Sequence, residues 1–248
     1  MKNPIIDRIL LKAHLWQLWD RLDTDQKAGK PNPPIQSPVP EEAPRFELPP
    51  VEATGLGEIT LRAAIQRRQS HRSYKEQPLN LDELSFLLWA TQGVRDTVQG
   101  GAVVRRVVPS AGSRHPFETY LLVQRVDGLE MGIYRYLSLE GKLCLLRPVP
   151  DLPERSKAAC ASFAAGAAVV FAWTALPYRT EWRYGAISPK LIALDAGHLC
   201  QNLYLAVEAI DAGTCAVAAY NQDEMDTLLG VDRVDEFTIY CAPVGKVR

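Results

Sequence analysis

Arg67-Arg68-Gln69-Ser70-His71-Arg72-Ser73-Tyr74 packs three arginines and two serine hydroxyls into one turn. A guanidinium fork beside a hydroxyl is a common way to hold a phosphate. The residues before it, Thr60 to about Gln66, read as a helix with Leu61, Ala64 and Ile65 on one face. A charge run by itself is more often a solvated surface. Two further segments add weight to this one. Pro109-Ser110-Ala111-Gly112-Ser113-Arg114-His115-Pro116 lies in mid-chain, and a second basic cluster, Lys246-Val247-Arg248, ends the sequence.

At 248 residues the chain is one large domain, or one domain with an extension. Apolar content of 47% suffices for a sizeable core. A net charge of −1 gives no global reason to expect nucleic acid. The five cysteines (144, 160, 200, 215 and 241) are scattered and show no metal or redox spacing, so free thiols in a reducing cytoplasm are expected. The four histidines are isolated from one another, which argues against a zinc site. Asp7 and Arg8 interrupt the apolar start, so it does not read as a signal peptide. The uncharged stretch from Ala158 to Leu176 is long enough to test as a membrane span. Its small and polar residues fit better a helix end, a break at Gly166 and a buried strand from Ala167 to Trp173, so no membrane is expected.

Three regions follow from composition. Residues 1–27 read as an amphipathic helical extension, from Ile5 to Leu22, with Ile5, Ile9, Trp16 and Trp19 roughly on one face. Residues 28–54 are proline-rich and read as a linker. The main domain is expected over 55–248. Within it, Asn80 and Glu83 form a capping-box pattern that opens a helix Leu81–Gln92, closed by Gly93. Short apolar runs at 103–108, 119–126, 133–136, 142–146 and 237–244 read as strands. Pro153 and Pro189 open helices, the second long, and 222–229 is a short helix. Helices and strands are mixed without regular βαβ units or a G-x-G-x-x-G, which argues for an α+β fold over a Rossmann fold.

Four segments, in order, resemble the nitroreductase family of FMN enzymes, and most closely its SagB-type branch of azoline-oxidising dehydrogenases. They are Arg68-x-Ser70-x-Arg72, Pro109 to Pro116, Leu194-Asp195-Ala196-Gly197-His198-Leu199-Cys200-Gln201-Asn202-Leu203, and Ala212-Gly213-Thr214-Cys215-Ala216-Val217-Ala218-Ala219. The resemblance covers roughly Ile59 to Arg248. It implies a mixed, mostly antiparallel sheet flanked by helices in an intertwined homodimer, with FMN as cofactor and a small-molecule or peptide substrate.

The resemblance also assigns roles. Arg68 and Ser70, with Lys246 and Arg248, would hold the phosphate, each charge-assisted bond contributing about 1.5–3 kcal/mol. A frayed, solvated tail is the plain alternative for Lys246 and Arg248. Arg72 would reach the ribityl chain or the pyrimidine carbonyl, where a fixed cation stabilises charge on the reduced ring; a surface salt bridge is its plain alternative. Pro109, Ser110, Ala111 and Ser113 would cross to the flavin of the other subunit, with Ser113 standing where many members have Asn. Backbone N–H groups near Ala218 or Ala219 would meet flavin N5, and Gln201 would contact the flavin side. Asp195 and His198, i and i+3, can touch each other on a helix face. The branch carries Lys-Tyr where this chain has Arg183-Tyr184. Arginine stays protonated and is a poor base; Tyr184, aided by the neighbouring positive charge, would still act on a proton, with a packing aromatic as its plain alternative.

Three activities are compatible with these residues. One is a SagB-like FMN oxidoreductase that passes hydride through flavin N5. The second is an NAD(P)H-dependent nitro or quinone reductase, with NAD(P)H as electron donor. The third is a non-catalytic flavin-fold scaffold in a peptide-modification complex, docking through the N-terminal helix and linker.

Overall fold

The computed structural model describes Arg8, residues 11–98 and residues 103–247. Its centre is a seven-stranded sheet in the order β1-β6-β5-β4-β7-β9-β8. The strands are β1 (Arg45–Glu47), β4 (Phe117–Val123), β5 (Gly132–Leu137), β6 (Lys142–Pro148), β7 (Val169–Ala175), β8 (Ala212–Thr214) and β9 (Phe237–Lys246). All ladder pairs in this sheet are antiparallel. Isolated parallel bridges join Ser70 to Thr214 and Leu79 to Val126. A separate hairpin pairs β2 (Val94–Val98) with β3 (Val103–Arg106). This is the α+β, mostly antiparallel architecture that the sequence implied.

Among the described residues, six α-helices of seven or more residues flank the strands: α1 (Leu61–Arg67), α2 (Leu81–Gln92), α3 (Leu152–Ala159), α4 (Tyr178–Tyr184), α5 (Ser188–Ala206) and α6 (Gln222–Leu229). Alternation along the central strands separates two cores. Phe117, Leu121 and Val123 of β4, with Phe171 and Trp173 of β7, pack under α2 and α5. Tyr120 and Leu122, with Val170 and Ala172, pack under α3 and α6. The ends of α2 follow its sequence: Asn80 accepts from Glu83 N, Glu83 accepts from Asn80 N, and Gly93 closes the helix.

The stretch from Ala158 to Leu176 divides into the end of α3, a 3-10 turn (Ser162–Gly166) and β7. Among the described residues no helix is long and apolar enough to cross a membrane. The expected N-terminal helix falls partly on residues outside the description, including Ile5 and Ile9. Its described part is a 3-10 helix, His14–Arg21. Three residues make one turn of such a helix, so Trp16 and Trp19 are aligned on it.

The proline-rich stretch is not a linker, and the sheet does not begin after residue 54. Two arginines buried under it hold its carbonyls: Arg179 donates Nε to Pro34 O at 2.9 Å, and Arg135 donates to Pro38 O at 3.2 Å and to Ser37 O. Trp182 Nε1 donates to Lys30 O at 3.1 Å, and β1 then pairs with the edge of β6. Proline lacks the N–H but keeps the carbonyl, so a chain that cannot form its own ladder can still be fastened by donors from elsewhere. Composition reveals the missing ladder and not those donors.

Candidate active site

The basic turn after α1 lies along the β8 edge. Ser70 bridges to Thr214, and His71 N donates to Thr214 O at 3.0 Å. Tyr74 OH is shared between His71 O at 2.8 Å and Pro243 O at 3.0 Å. The turn can lie this flat because Gly213 and Gly245 face it. A Cβ on Gly213 would stand 2.6 Å from the His71 ring, and one on Gly245 would stand 2.9 Å from Tyr74.

One residue absent from the sequence reading ties the first and fourth motifs together. Tyr204 OH lies 3.0 Å from Ser70 Oγ and accepts from Ala216 N at 2.8 Å, while Arg68 rests over the Tyr204 ring at 5.4 Å. Tyr204 follows Gln201 by three positions, so the two share a face of α5. That spacing was the available signal. Gln201 is exposed, whereas Asn202 turns inward and donates to Ala90 O at 2.9 Å, joining α5 to α2. Ala218 and Ala219 are exposed just past the Val217–Cys241 bridge, and neither N–H has a partner among the described residues. Arg72 is exposed, and neither Arg68 nor Arg72 forms an ion pair among the described residues.

Lys246 is a correction. It is 7% exposed, its ammonium is paired with Glu83, and it donates to Ile210 O at 2.6 Å. The ammonium is thus committed inside the fold instead of being offered to a phosphate, because the antiparallel ladder with β8 carries Lys246 inward beside Glu83 at the start of α2. Arg248 lies outside the described residues.

The second cluster gathers the remaining candidates. Asp195 on α5 accepts from Ser110 Oγ at 2.6 Å and from Ala111 N at 3.1 Å, and Ser110 Oγ in turn accepts from His115 N at 2.9 Å. The hydroxyl of Ser110 therefore holds the loop in shape. His198 is exposed, with Nδ1 3.8 Å from Asp195, so the loop and not His198 is the main partner of that carboxylate. Burial raises the Asp195 pKa, against the lowering by its bonds to Ser110 and Ala111. Pro109 and Gly112 are exposed, and Ala111 and Ser113 are half-buried. Gly112, Ser113 and His115 all take positive φ, at 58°, 53° and 44°. Two non-glycine residues in that region mark a backbone held under strain.

Gly112 faces Arg183-Tyr184 at the end of α4. A Cβ there would stand 2.6 Å from Tyr184 OH and 3.0 Å from Arg183. On its other side the Tyr184 ring packs against Trp16 at 5.9 Å and Trp19 at 5.5 Å. Within one chain this cluster does not reach the first. Asp195 and Tyr204 are nine residues apart on α5, about 13 Å along the axis.

His115 gives this region a pH dependence. Burial, then Arg106 and Arg114, depress its pKa from 6.5 to about 3. The unfolded chain therefore binds more protons between about pH 6.5 and pH 3. Stability is fully present above 6.5 and is lost as pH falls through that window, by about 1.4 kcal/mol per unit of depression at most. Urea unfolding at pH 7.5 and pH 5 is expected to show the loss, and His115→Asn, which tolerates positive φ, should flatten it. An unchanged slope in the variant would assign the pH dependence to other groups.

The sequence profile of the Nitroreductase family matches residues 65–246. The chain belongs to the nitroreductase family. This nitroreductase-family chain is 32% identical over 202 residues to MJ1384 of Methanocaldococcus jannaschii, which carries a provisional nitroreductase name; the match covers 81% of this chain and 96% of MJ1384. It is 25% identical over 198 residues to the trifolitoxin-processing protein TfxB of Rhizobium leguminosarum bv. trifolii, covering 76% of this chain and 53% of TfxB. The chain thus spans about half of that relative. A provisionally named nitroreductase from Ralstonia eutropha JMP134 has the same fold, with a TM-score of 0.67 at 23% identity over 88% of this chain and 99% of that one.

Proposed function

We propose that this nitroreductase-family protein is an FMN-dependent oxidoreductase of SagB-like type, acting as a homodimer. The observation that carries the reading is the junction at Tyr204. It gathers Arg68, which forms no ion pair among the described residues, and the Ser70 hydroxyl beside a strand end with two exposed N–H groups that have no partner among the described residues. Arg68 and Ser70 fit a phosphate, and Arg72 fits the ribityl chain or pyrimidine oxygen. Ala218 and Ala219 supply backbone donors at the flavin's reactive edge, and Gln201 lines its side. Bound FMN supplies hydride transfer at N5.

The separation of the two clusters supports the dimer. Pro109, Ser110, Ala111 and Ser113, held at Asp195 about 13 Å along α5 from Tyr204, would reach the flavin of a second copy. The outer faces of α1, α2 and α5 expose Leu61, Ile65, Trp89 and Leu194, an apolar surface suited to a copy of the same chain. Tyr184 holds or moves a proton at the substrate, and Arg183 stays charged beside it. The relation to TfxB supports a peptide-derived substrate.

The second reading is an NAD(P)H-dependent nitro or quinone reductase. Arg183 in place of the branch's lysine favours it, as does the name of MJ1384. The test is the absorbance spectrum of the purified dimer, followed by anaerobic NADPH. Flavin bands that persist with NADPH, and that bleach with a peptide-derived azoline, are the expected result. Rapid bleaching by NADPH would support the reductase. Absence of flavin bands even after FMN is added would overturn both.

A further inference from the structure

We propose that a two-chambered groove beside α4 docks an extended peptide segment in which a basic residue is flanked by apolar ones. Such docking goes beyond the flavin chemistry and needs no turnover to be observed.

Two cavities meet at Tyr178 and Asp235. The first, of about 450 Å³, lies between α4, the start of α5 and the start of β9, with Pro189, Ile192, Phe237 and Ile239 among its walls. The second, of about 400 Å³, is walled by Pro33, Pro34, Pro38 and Leu176. Both volumes are in the range of ligand sites, about 300–1,000 Å³. The apolar rim is left in water: Tyr178 is 47% exposed and Val234 76%. Open apolar groups around a concave site mark a contact surface. The rim is also held in place. Asp232 accepts from the N–H groups of Val234, Asp235 and Glu236 at 2.8, 2.8 and 2.9 Å, which fixes the loop that presents Val234 and Asp235. Tyr178 OH donates to Asp25 at 2.7 Å, and Asp25 pairs with Lys30 at 2.9 Å, so the ring between the chambers is anchored at its far end. A fixed rim lowers the cost of ordering on binding.

Charge selects the occupant. Glu181 and Asp235 both line the first chamber, and among the described residues no lysine, arginine or histidine lines it. The cations nearby are placed elsewhere. Arg233 pairs with Asp223 at 3.6 Å and bonds Thr227, both on α6, and Arg179 in the second chamber is committed to Glu118. Lys190, which follows Pro189, lines neither chamber. Burial, then the charge of Asp235, raises the Glu181 pKa, as two anions sharing a chamber require. A basic side chain answers these features together. Its aliphatic stem covers apolar wall while its charged head stays at the wet rim between the carboxylates. A neighbouring apolar residue then reaches the proline-walled chamber past Tyr178. The acidic rim repels phosphate, so neither nucleic acid nor anionic lipid fits it. α4 begins at Tyr178 and ends at Tyr184, about 9 Å further along its axis, so the docked segment lies on the helix that carries the proposed proton-handling residue.

The test is calorimetric titration of the full-length, FMN-loaded protein with a capped peptide that carries one lysine between leucines. Analogues with norleucine or glutamate in place of the lysine serve as comparisons. The lysine peptide is expected to bind about fivefold tighter than the norleucine peptide, as two exposed carboxylates allow, and the glutamate peptide weakest of all. The preference should shrink as salt rises from roughly 50 mM to about 500 mM. It should fall to within about twofold in a variant carrying both Glu181→Gln and Asp235→Asn. Both side chains are exposed, so the melting temperature of that variant should match the parent's; if it does not, Asp235→Asn alone and the salt series still decide. Val234→Ser should weaken the lysine and norleucine peptides alike. Equal binding of those two peptides, or no binding of any, would overturn the proposal. So would a preference that survives in the double variant, which would place the cation elsewhere, or binding that disappears as the protein dimerises, which would give the groove to a second copy. Protein that never holds FMN would fail the flavin reading alone, since the same peptide series can still be measured on it.

Discussion

Glu118→Gln is expected to lower the unfolding free energy by about 3–5 kcal/mol, the range for breaking a buried ion pair by removing one partner. Glu118 is 4% exposed and, among the described residues, is the one carboxylate within ion-pair distance of Arg179 or Arg135, both also buried. It accepts from Arg179 at 2.5 Å and from Ser37 N at 2.7 Å. Glutamine keeps the shape and one acceptor but removes the charge, so two guanidinium groups remain inside without compensation. Against a typical total of about 5–15 kcal/mol, this is the largest single-residue effect on stability expected in the chain. The loss should also be local. The Ser37 amide should exchange its hydrogen faster in the variant than in the parent, relative to amides of β4, because the segment is held through that carboxylate. A urea midpoint that moves by less than the equivalent of about 1 kcal/mol would mean that the carbonyls of Pro34, Ser37 and Pro38 satisfy the arginines unaided.

Gly112→Ala is expected to reduce turnover about 100-fold, the usual consequence of an ångström-scale displacement in a site. Two effects coincide at this position. Its φ of 58° is strained for alanine, and the added methyl would stand 2.6 Å from Tyr184 OH and 3.0 Å from Arg183 Cδ and Nε. Either the loop lifts from α4 or the two side chains swing away. The flavin phosphate would be held elsewhere, by Arg68 and Ser70, so FMN per chain should be unchanged. Turnover within about twofold of the parent, with FMN retained, would remove Tyr184 and its loop from the catalytic site.

The legible parts of this chain are those in which neighbours in sequence act on one another. The Asn80–Glu83 box opens α2, the proline at 189 opens α5, and uninterrupted apolar runs mark β4 and β7. α4 is not legible in the sequence because Tyr178-Arg179-Thr180-Glu181-Trp182-Arg183-Tyr184 has no apolar period of its own; its buried members are chosen by what lies beneath it. At the site, the motifs mark the segments and not the bonds between them. Ser70 meets Tyr204 across 134 residues, and Ser110 meets Asp195 across 85. Lys246 illustrates the same limit. Its place in a basic terminus suggests a ligand for phosphate, whereas a carboxylate 163 residues earlier takes the charge inside. No local pattern encodes such pairings, because they are decided when the sheet closes.

The three residues of β1 are also the rim of the sheet. Arg45, Phe46 and Glu47 lie on Cys144, Leu143 and Lys142, and Lys142 pairs with Glu47 at 2.7 Å. A protein trimmed to start at Gly55 would leave the outer amides and carbonyls of β6 uncovered over an apolar run, Leu143 to Leu146. Such a rim recruits any strand that meets it, including its own copies. Precipitation of the trimmed protein would therefore report an open border and not a lost binding partner. A start between Trp19 and Thr24, which keeps the whole fastened segment, is the latest from which the role of the N-terminal tryptophans can be judged.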